Sequence, residues 1–97
     1  MKYMEIIYLR SASEHYPKVE LCLKDIDRSI DNEINPISIE IYRNFNVDTD
    51  WSILLKNEKK EANIQKSSLG LHLAALFKEF GLIHHSIWII KENKAVL

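Results

Sequence analysis

The chain has 97 residues, 46% of them hydrophobic and 28% charged, a balance typical of one folded domain spanning residues 1–97. Its 13 basic and 14 acidic residues nearly cancel, which disfavours nucleic acid and membrane surfaces as partners, since both favour excess lysine and arginine. The single cysteine, Cys22, allows no internal disulfide, and no stretch is long enough to cross a bilayer. The sequence therefore predicts a cytoplasmic protein.

The first half of the chain predicts a strand, a helix and a second strand. Ile6–Leu9 is apolar on both faces, which is typical of a central strand. A helix is expected from about Ser13 to before Pro36, because the residue preceding a proline resists the helical conformation. Its buried stripe is predicted to contain Val19, Leu23, Ile26 and Ile30. Isoleucines at 37, 39 and 41 then alternate with polar residues, as in a half-buried strand.

The second half predicts a strand, a helix and a last strand. The turn formers 44–48 lead into an alternating strand at Trp51–Lys56, and a polar loop covers 57–66. Ser67 or Ser68 is expected to cap a second helix, with Gly81 as the residue that ends it. The predicted buried stripe of that helix is Leu69, Leu73, Leu76, Phe77 and Phe80. Residues 83–90 alternate again as a fourth strand, and Ala95–Leu97 could add a short edge strand.

This β-α-β-β-α-β order defines an α+β protein and resembles the ferredoxin-like fold over nearly the whole chain. The resemblance implies a four-stranded antiparallel sheet with both helices on one face, strands one and three central, and strands two and four at the edges. For the first strand, alternation leaves two choices for the uncovered face: Met4, Ile6 and Tyr8, or Glu5, Ile7 and Leu9.

The sheet face without helices is expected to be partly apolar, with Tyr42, Leu54, Trp88 and Ile90 among its residues. Together with the first strand they form a larger apolar patch than monomers usually expose, so a second copy is expected to cover it. Two such sheets packed face to face resemble the dimeric α+β barrel superfamily, which includes small monooxygenases and heme-handling proteins. The resemblance implies a homodimer with a ligand pocket between the sheets.

The candidate pocket residues on this face are His84, Ser86, Trp88, Glu40, Tyr42 and Ser52. His84 could act as a general base or anchor a polar ligand group, although a half-exposed histidine at a strand start explains it as well. Trp88 fits either a dimer contact or a stacking wall for a planar ligand. His84 and His85 point to opposite faces of a strand and cannot share a metal, so no metal and no cofactor are predicted.

The second helix begins with two further features of interest. Gly70 lies in its first turns, where glycine is unfavourable relative to alanine, and its presence could allow a partner backbone or a ligand to approach closely. Lys66, Ser67 and Ser68 offer a positive side chain and free backbone N–H groups, which could receive an anion. Ordinary helix capping accounts for the same residues.

Two functions remain open at this stage. The first is a homodimer that binds a small organic ligand between its sheets, with cofactor-free monooxygenase chemistry as the reaction if it is an enzyme. The second is a non-catalytic module whose open sheet docks another protein. The polar residues of the open face, such as Glu40 and Ser52, favour the first. The sequence does not decide whether a reaction is catalysed, or on which substrate.

Overall fold

A computed structural model describes residues 1–26 and 38–95. The strands are β1 (Lys2–Ser11), β2 (Ser38–Arg43), β3 (Asp50–Glu58) and β4 (Gly81–Ile89). The helices are α1 (Tyr16–Lys24) and α2 (Ser68–Phe77). Short 3-10 turns precede α1 at Ser13–His15, follow β3 at Glu61–Asn63 and follow α2 at Lys78–Phe80.

The four strands form one antiparallel sheet in the order β2-β3-β1-β4. Strands β1 and β3 are therefore central and β2 and β4 form the edges, as the sequence predicts. With two helices and the β-α-β-β-α-β order, this is the ferredoxin-like α+β fold.

The pairing register resolves the face of β1 that alternation left open. Residues Tyr3, Glu5, Ile7 and Leu9 are buried, whereas Ile6 and Tyr8 between them are only half-buried. Ile7 lies opposite Ile53 on β3 and opposite His85 on β4, so all three belong to the covered face. Met4, Ile6 and Tyr8 thus lie on the uncovered side of the sheet, which we call the open face.

The core lies between the covered face and the helices. It contains Ile7, Leu9, Ile53 and Leu55 from the sheet, Val19 and Leu23 from α1, Leu73 and Phe77 from α2, and Ile26, Trp51 and Phe80. Of the predicted stripes, Val19, Leu23 and Ile26 near the first helix and Leu73, Phe77 and Phe80 near the second are confirmed as core residues. Leu69 and Leu76 are only half-buried. Cys22 is half-buried beside the same cluster.

Several boundaries differ from the sequence prediction. β1 extends four residues before and two after Ile6–Leu9, because Glu5 and Arg10 are accommodated by specific partners described below. Residues 91–95 form no strand. The predicted residues Ile30, Pro36, Ile37, Val96 and Leu97 lie outside the described residues.

Gly81 ends the helical segment as the sequence predicts, directly after the 3-10 turn Lys78–Phe80, but not in the left-handed conformation that is usual at such ends. Its backbone is extended (φ 160°, ψ −155°), and it is the first residue of β4. A Cβ atom at this position would lie 2.0 Å from the carbonyl oxygen of Arg10 on the neighbouring strand. Glycine is required here because two backbones approach closely, since an extended backbone by itself accepts any residue.

No helix among the described residues is long and apolar enough to cross a membrane.

Candidate functional site

The open face is the part of the sheet that no described helix covers. The register places residues from all four strands in cross-strand rows on it. One row contains Tyr42, Ser52, Tyr8 and His84, and the next contains Glu40, Leu54, Ile6 and Ser86. A third row contains Ser38, Lys56, Met4 and Trp88. Trp88 remains 57% exposed and Leu82, further along β4, 73% exposed, so large apolar side chains face solvent here.

A depression of about 440 Å³ lies at the end of this face where β1 begins. The open-face residues that line it include Lys2, Met4, Ser38, Lys56, Trp88 and Ile90. Its surface is mainly apolar, and its volume falls within the range of roughly 300–1,000 Å³ typical of small-molecule pockets. The indole Nε1 of Trp88 donates to Ser86 Oγ (2.8 Å), a hydrogen bond that restrains the orientation of the ring.

Two lysines border the depression and differ in their partners. Lys56 Nζ lies 2.6 Å from Glu40 Oε1 across β2 and β3. The hydrogen bond from Lys56 lowers the pKa of Glu40, and the reciprocal bond raises the pKa of Lys56. Among the described residues Lys2 forms no ion pair. Lys2 is therefore a cation at this end of the face without an ion pair among the described residues, and Glu58, directly opposite it on β3, lines the same depression.

The six candidate residues share the open face but do not form one cluster. Glu40 and Tyr42 lie on β2, Ser52 lies beside them on β3, and His84, Ser86 and Trp88 lie on β4 at the opposite edge. Three strand spacings, about 14 Å, separate Tyr42 from His84. His84 is also four residues from Trp88 along β4, so of the six only Trp88 lines the depression.

A second polar group on the open face was not predicted from the sequence. The side chain of Asp50 is buried, and its Oδ2 accepts hydrogen bonds from Tyr8 Oη and, at 3.4 Å, from Arg10 Nε. Arg10 also donates to Tyr8 Oη at 3.4 Å, and this bond contributes most to the raised pKa of the guanidinium. Tyr8 lies directly opposite His84 in the sheet. His84 thus has Tyr8, and not Tyr42 or Glu40, as its neighbour.

A buried polar group also lies on the covered face, between the sheet and α2. We call Glu5, Ser67, Gly70 and His85 the polar junction. Glu5 is completely buried, its Oε1 accepts from the backbone N–H of Ser67 (2.8 Å), and its Oε2 lies 2.8 Å from His85 Nε2. A Cβ atom on Gly70 would lie 2.0 Å from Glu5 Oε2. Glycine at 70 is therefore required by the close approach of α2 to this carboxylate.

The polar junction bears on two expectations from the sequence, the helix cap at Ser67 or Ser68 and the anion site at the start of the second helix. Ser67 is the N-cap of α2, and its Oγ accepts from the backbone N–H of Gly70 (3.0 Å). The backbone N–H at this helix start does bind an anion, but that anion is the carboxylate of Glu5 from the same chain. The signal that could have identified it is a lone acidic residue on the buried face of an otherwise apolar central strand.

Metal ligands do not gather in the described part of the chain: no three His, Cys, Asp or Glu side chains lie together there.

Comparison with solved structures identifies proteins with the same fold. Rv0793 from Mycobacterium tuberculosis superimposes with a TM-score of 0.72 over 98% of this chain and 100% of its own, at 10% sequence identity. A protein from Deinococcus radiodurans with the provisional name antibiotic biosynthesis monooxygenase gives a TM-score of 0.66 at 8% identity, covering 98% of each chain. The chain shares the ferredoxin-like α+β fold of these structures.

A third structure supports the same assignment of fold. A protein from Bordetella bronchiseptica with the same provisional name matches with a TM-score of 0.63 at 12% identity, covering 98% of each chain. No family model and no curated protein matches this sequence. At these identities the likeness to the solved structures describes the fold alone, and function has to be argued from this chain's own residues.

Proposed function

We propose that the protein is a homodimer that binds a small organic ligand between its two open sheet faces and acts on it as a cofactor-free monooxygenase. The observation that carries this proposal is the apolar depression beside Trp88 on an uncovered sheet face. Exposed apolar surface of this kind is stabilised by a second copy, by a ligand, or by both. The provisional names of two structural neighbours support monooxygenase chemistry.

The roles of individual residues follow from their places on the face. Trp88 provides an aromatic wall at the depression, and Lys2 provides a positive charge. His84 is assigned as the base that takes a proton from the ligand, with Tyr8 beside it. A ligand that touches both Trp88 and His84 must extend along four residues of β4, about 13 Å, which favours a molecule of several rings or a long side chain.

Native mass spectrometry of the purified protein tests the proposal first. A mass of two chains plus a few hundred daltons supports it and provides the ligand for identification. A bare monomer at micromolar concentration contradicts the dimer, and the open face would then be examined as a docking surface for another protein.

Two variants separate binding from reaction once a ligand is identified. Trp88→Ala is expected to weaken ligand binding by roughly tenfold or more, because it removes the largest apolar contact at the depression. His84→Gln is expected to retain binding and to lower turnover by about 100-fold or more, as loss of a general base does. Equal effects of both variants on binding and turnover would contradict these separate roles.

A further inference from the structure

The strand β4 lies at an edge of the sheet and pairs with β1 on one side only. The backbone N–H of Ile90 donates to Lys2 O (3.0 Å), and the same alternation along the strand gives the even-numbered residues of β4 their hydrogen bonds to β1. The N–H and C=O groups of the odd-numbered residues point away from the sheet, and among the described residues they have no partner. These outward residues include Ile83, His85 and Ile87.

This edge lacks the features that usually keep an edge strand from pairing with another chain. Residues 81–90 contain no proline and no Asp, Glu, Lys or Arg, and their pairing with β1 has no bulge. The other edge, β2, is shorter and carries Glu40 and Arg43. On β4, by contrast, Leu82, Trp88 and Ile89 are each more than half exposed. A long, uncharged and apolar edge of this kind is a template for another strand.

We propose that β4 pairs with β4 of a second copy as an antiparallel strand, with the two-fold axis at His85. A two-fold axis makes the two strands antiparallel, and here it stands perpendicular to the sheet. The two four-stranded sheets then join into one, and their open faces lie on the same side. The contact is independent of the dimer proposed above, in which the second copy lies against the open face and not beside its edge.

The residue pairs favour this register. On the open face it places Leu82 opposite Trp88 of the second copy, and His84 opposite Ser86. On the covered face, Ile83 lies opposite Ile87 of the second copy. Apolar residues thus meet apolar residues and polar residues meet polar ones, and symmetry forms each pair twice.

A shift of the axis by one residue in either direction loses this match. With the axis at Ser86, Trp88 lies opposite His84 of the second copy. With the axis at His84, Leu82 lies opposite Ser86 of the second copy. Both shifts place an exposed apolar side chain of β4 against a polar one, so they are less favourable than the axis at His85.

Charges beyond the two ends of β4 complement each other in the same register. Glu79 lies two residues before β4 and Lys91 two residues after it, so each Lys91 comes close to Glu79 of the second copy. Within the described part of the chain neither side chain forms an ion pair. At the axis, His85 Nε2 lies 2.8 Å from the buried Glu5 Oε2, so a charge on this imidazole is balanced within each copy.

The pairing also adds a residue beside the ligand depression, a consequence that rests on the proposed function as the pairing itself does not. Trp88 lines the depression and belongs to the edge strand. Leu82 of the second copy, opposite Trp88, therefore lies next to it and extends its apolar wall.

A single pair of strands is expected to be a weak contact. Each copy contributes one strand of nine residues, fewer than the roughly 20–30 residues a side of a stable interface. We expect a dissociation constant on the order of 1 mM, so the pairing is nearly absent at micromolar concentrations.

Exchange of individual backbone amides with water, measured by NMR on the wild type, tests the pairing. The outward amides of Ile83, His85 and Ile87 are expected to exchange about twofold more slowly near 1 mM than at tens of micromolar, because about half of the edges are then paired. The outward amides of Ile39 and Ile41 on β2 are the control and should exchange at the same rate at both concentrations.

A proline on each edge provides a matched pair of variants. Ile87→Pro removes an outward N–H that only the second copy uses, and proline is accepted where the N–H of an edge strand faces solvent. It is expected to abolish the concentration dependence of exchange at Ile83 and His85. Ile41→Pro makes the same change on β2 and should leave that dependence intact. Far-UV circular dichroism checks that both variants fold.

Contacts between copies test the register. In a mixture of isotope-labelled and unlabelled chains near millimolar concentration, nuclear Overhauser effects between Leu82 of one copy and Trp88 of the other are expected. Effects between Trp88 and His84 of different copies would instead contradict the axis at His85.

The outcomes separate this proposal from the proposed function. If the outward amides of β4 exchange at the same rate at both concentrations, or change only as much as those of β2, the edge pairing is wrong and the face-to-face dimer is unaffected. A wild type that is monomeric at tens of micromolar and slows these β4 amides near millimolar confirms the edge pairing and contradicts the face-to-face dimer.

Discussion

Gly70 is the residue whose role depends most directly on a single contact. It lies where α2 approaches the buried carboxylate of Glu5, which already accepts a hydrogen bond from Ser67 and pairs with His85. Both oxygens of the carboxylate are engaged, so it cannot move away without losing one of these bonds. The glycine allows the helix and the charge to lie together.

Gly70→Ala is therefore expected to destabilise the fold by about 2 kcal/mol. Alanine gains about 1 kcal/mol of helix propensity, but overpacking costs about 1–3 kcal/mol and loss of a hydrogen bond to a charged group about 1.5–3 kcal/mol. For a domain of this size, thermal unfolding should show a fall in Tm of about 8–16 °C.

The reverse substitution at Ala75 is the control for Gly70→Ala. Ala75 is exposed on the same helix, so Ala75→Gly measures helix propensity alone and is expected to cost about 1 kcal/mol. Alanine should thus be the more stable residue at 75 and the less stable residue at 70. A Gly70→Ala variant more stable than the wild type would contradict the close contact with Glu5.

Cys22 gives a prediction on reactivity at the same scale. Burial raises the pKa of its thiol, and the charges of Asp25 and Glu79 raise it further. Less thiolate is present at pH 8 than in an unperturbed cysteine, and thiolate is the reactive form. The rate of reaction with a disulfide reagent should therefore reach its half-maximum at a higher pH in the folded protein than in denaturant. Coincident profiles in the two conditions would show that the folded thiol is unperturbed.

For single residues, the sequence predicts the sheet face of a side chain better than it predicts its hydrogen-bond partners. Alternation along β4 was sufficient to place His84 and His85 on opposite faces, because a strand allows no other arrangement. It could not predict that Glu5 binds His85 and Ser67, since these contacts join residues more than 60 positions apart. Their meeting depends on the sheet order and on the depth at which α2 packs.

At the scale of elements, the hairpin between β2 and β3 owes its shape to one side chain. Asn44 Oδ1 accepts two backbone hydrogen bonds in the turn, as Asn commonly does where the chain reverses. Asn44→Ala is expected to lower the free energy of unfolding by about 1 kcal/mol, by analogy with loss of a side-chain cap. Urea denaturation measures this, and the midpoint should shift without a change in slope.

Asn46→Ala is the matched control for this turn. Asn46 lies in the same turn, and among the described residues its side chain makes no hydrogen bond, although its backbone N–H does. The control should therefore be close to neutral. If both variants destabilise the protein equally, the turn depends on having polar side chains in general and not on the hydrogen bonds that Asn44 Oδ1 accepts.

The elements themselves were largely predictable, and their ends were not. Alternation of Ile39 and Ile41 with polar neighbours predicts a strand whatever surrounds it. The end of α2 was assigned from Gly81, because glycine usually terminates helices by adopting a left-handed conformation. Here glycine is needed because it is small: β4 begins so close to the backbone of Arg10 that no side chain fits between them. Sequence pattern cannot distinguish these two reasons for a glycine.

At the scale of the whole molecule, the open face is the feature on which the proposed dimer depends. Its central rows contain Leu54 and Ile6, which are half-buried by their neighbours and would be fully covered by a second sheet. A sheet with only one covered face requires a polar outer surface, and this one is apolar at its centre. The candidate residues lie apart on this face because alternation along a strand determines only the face on which a residue lies, whereas the distance between strands depends on strand order.

Leu54→Lys tests directly whether this centre is buried by a second copy. A charge there would be desolvated in a face-to-face dimer, and Glu40, directly opposite it on β2, is already paired with Lys56, so the variant is expected to be monomeric with an intact fold. Dimerisation linked to folding makes Tm rise with protein concentration. We therefore expect the Tm of the wild type to rise between micromolar and hundred-micromolar concentrations, and that of Leu54→Lys to stay constant. Leu71→Lys, at an exposed leucine of α2, should keep the wild-type dependence, and a wild-type Tm independent of concentration would contradict the covered face.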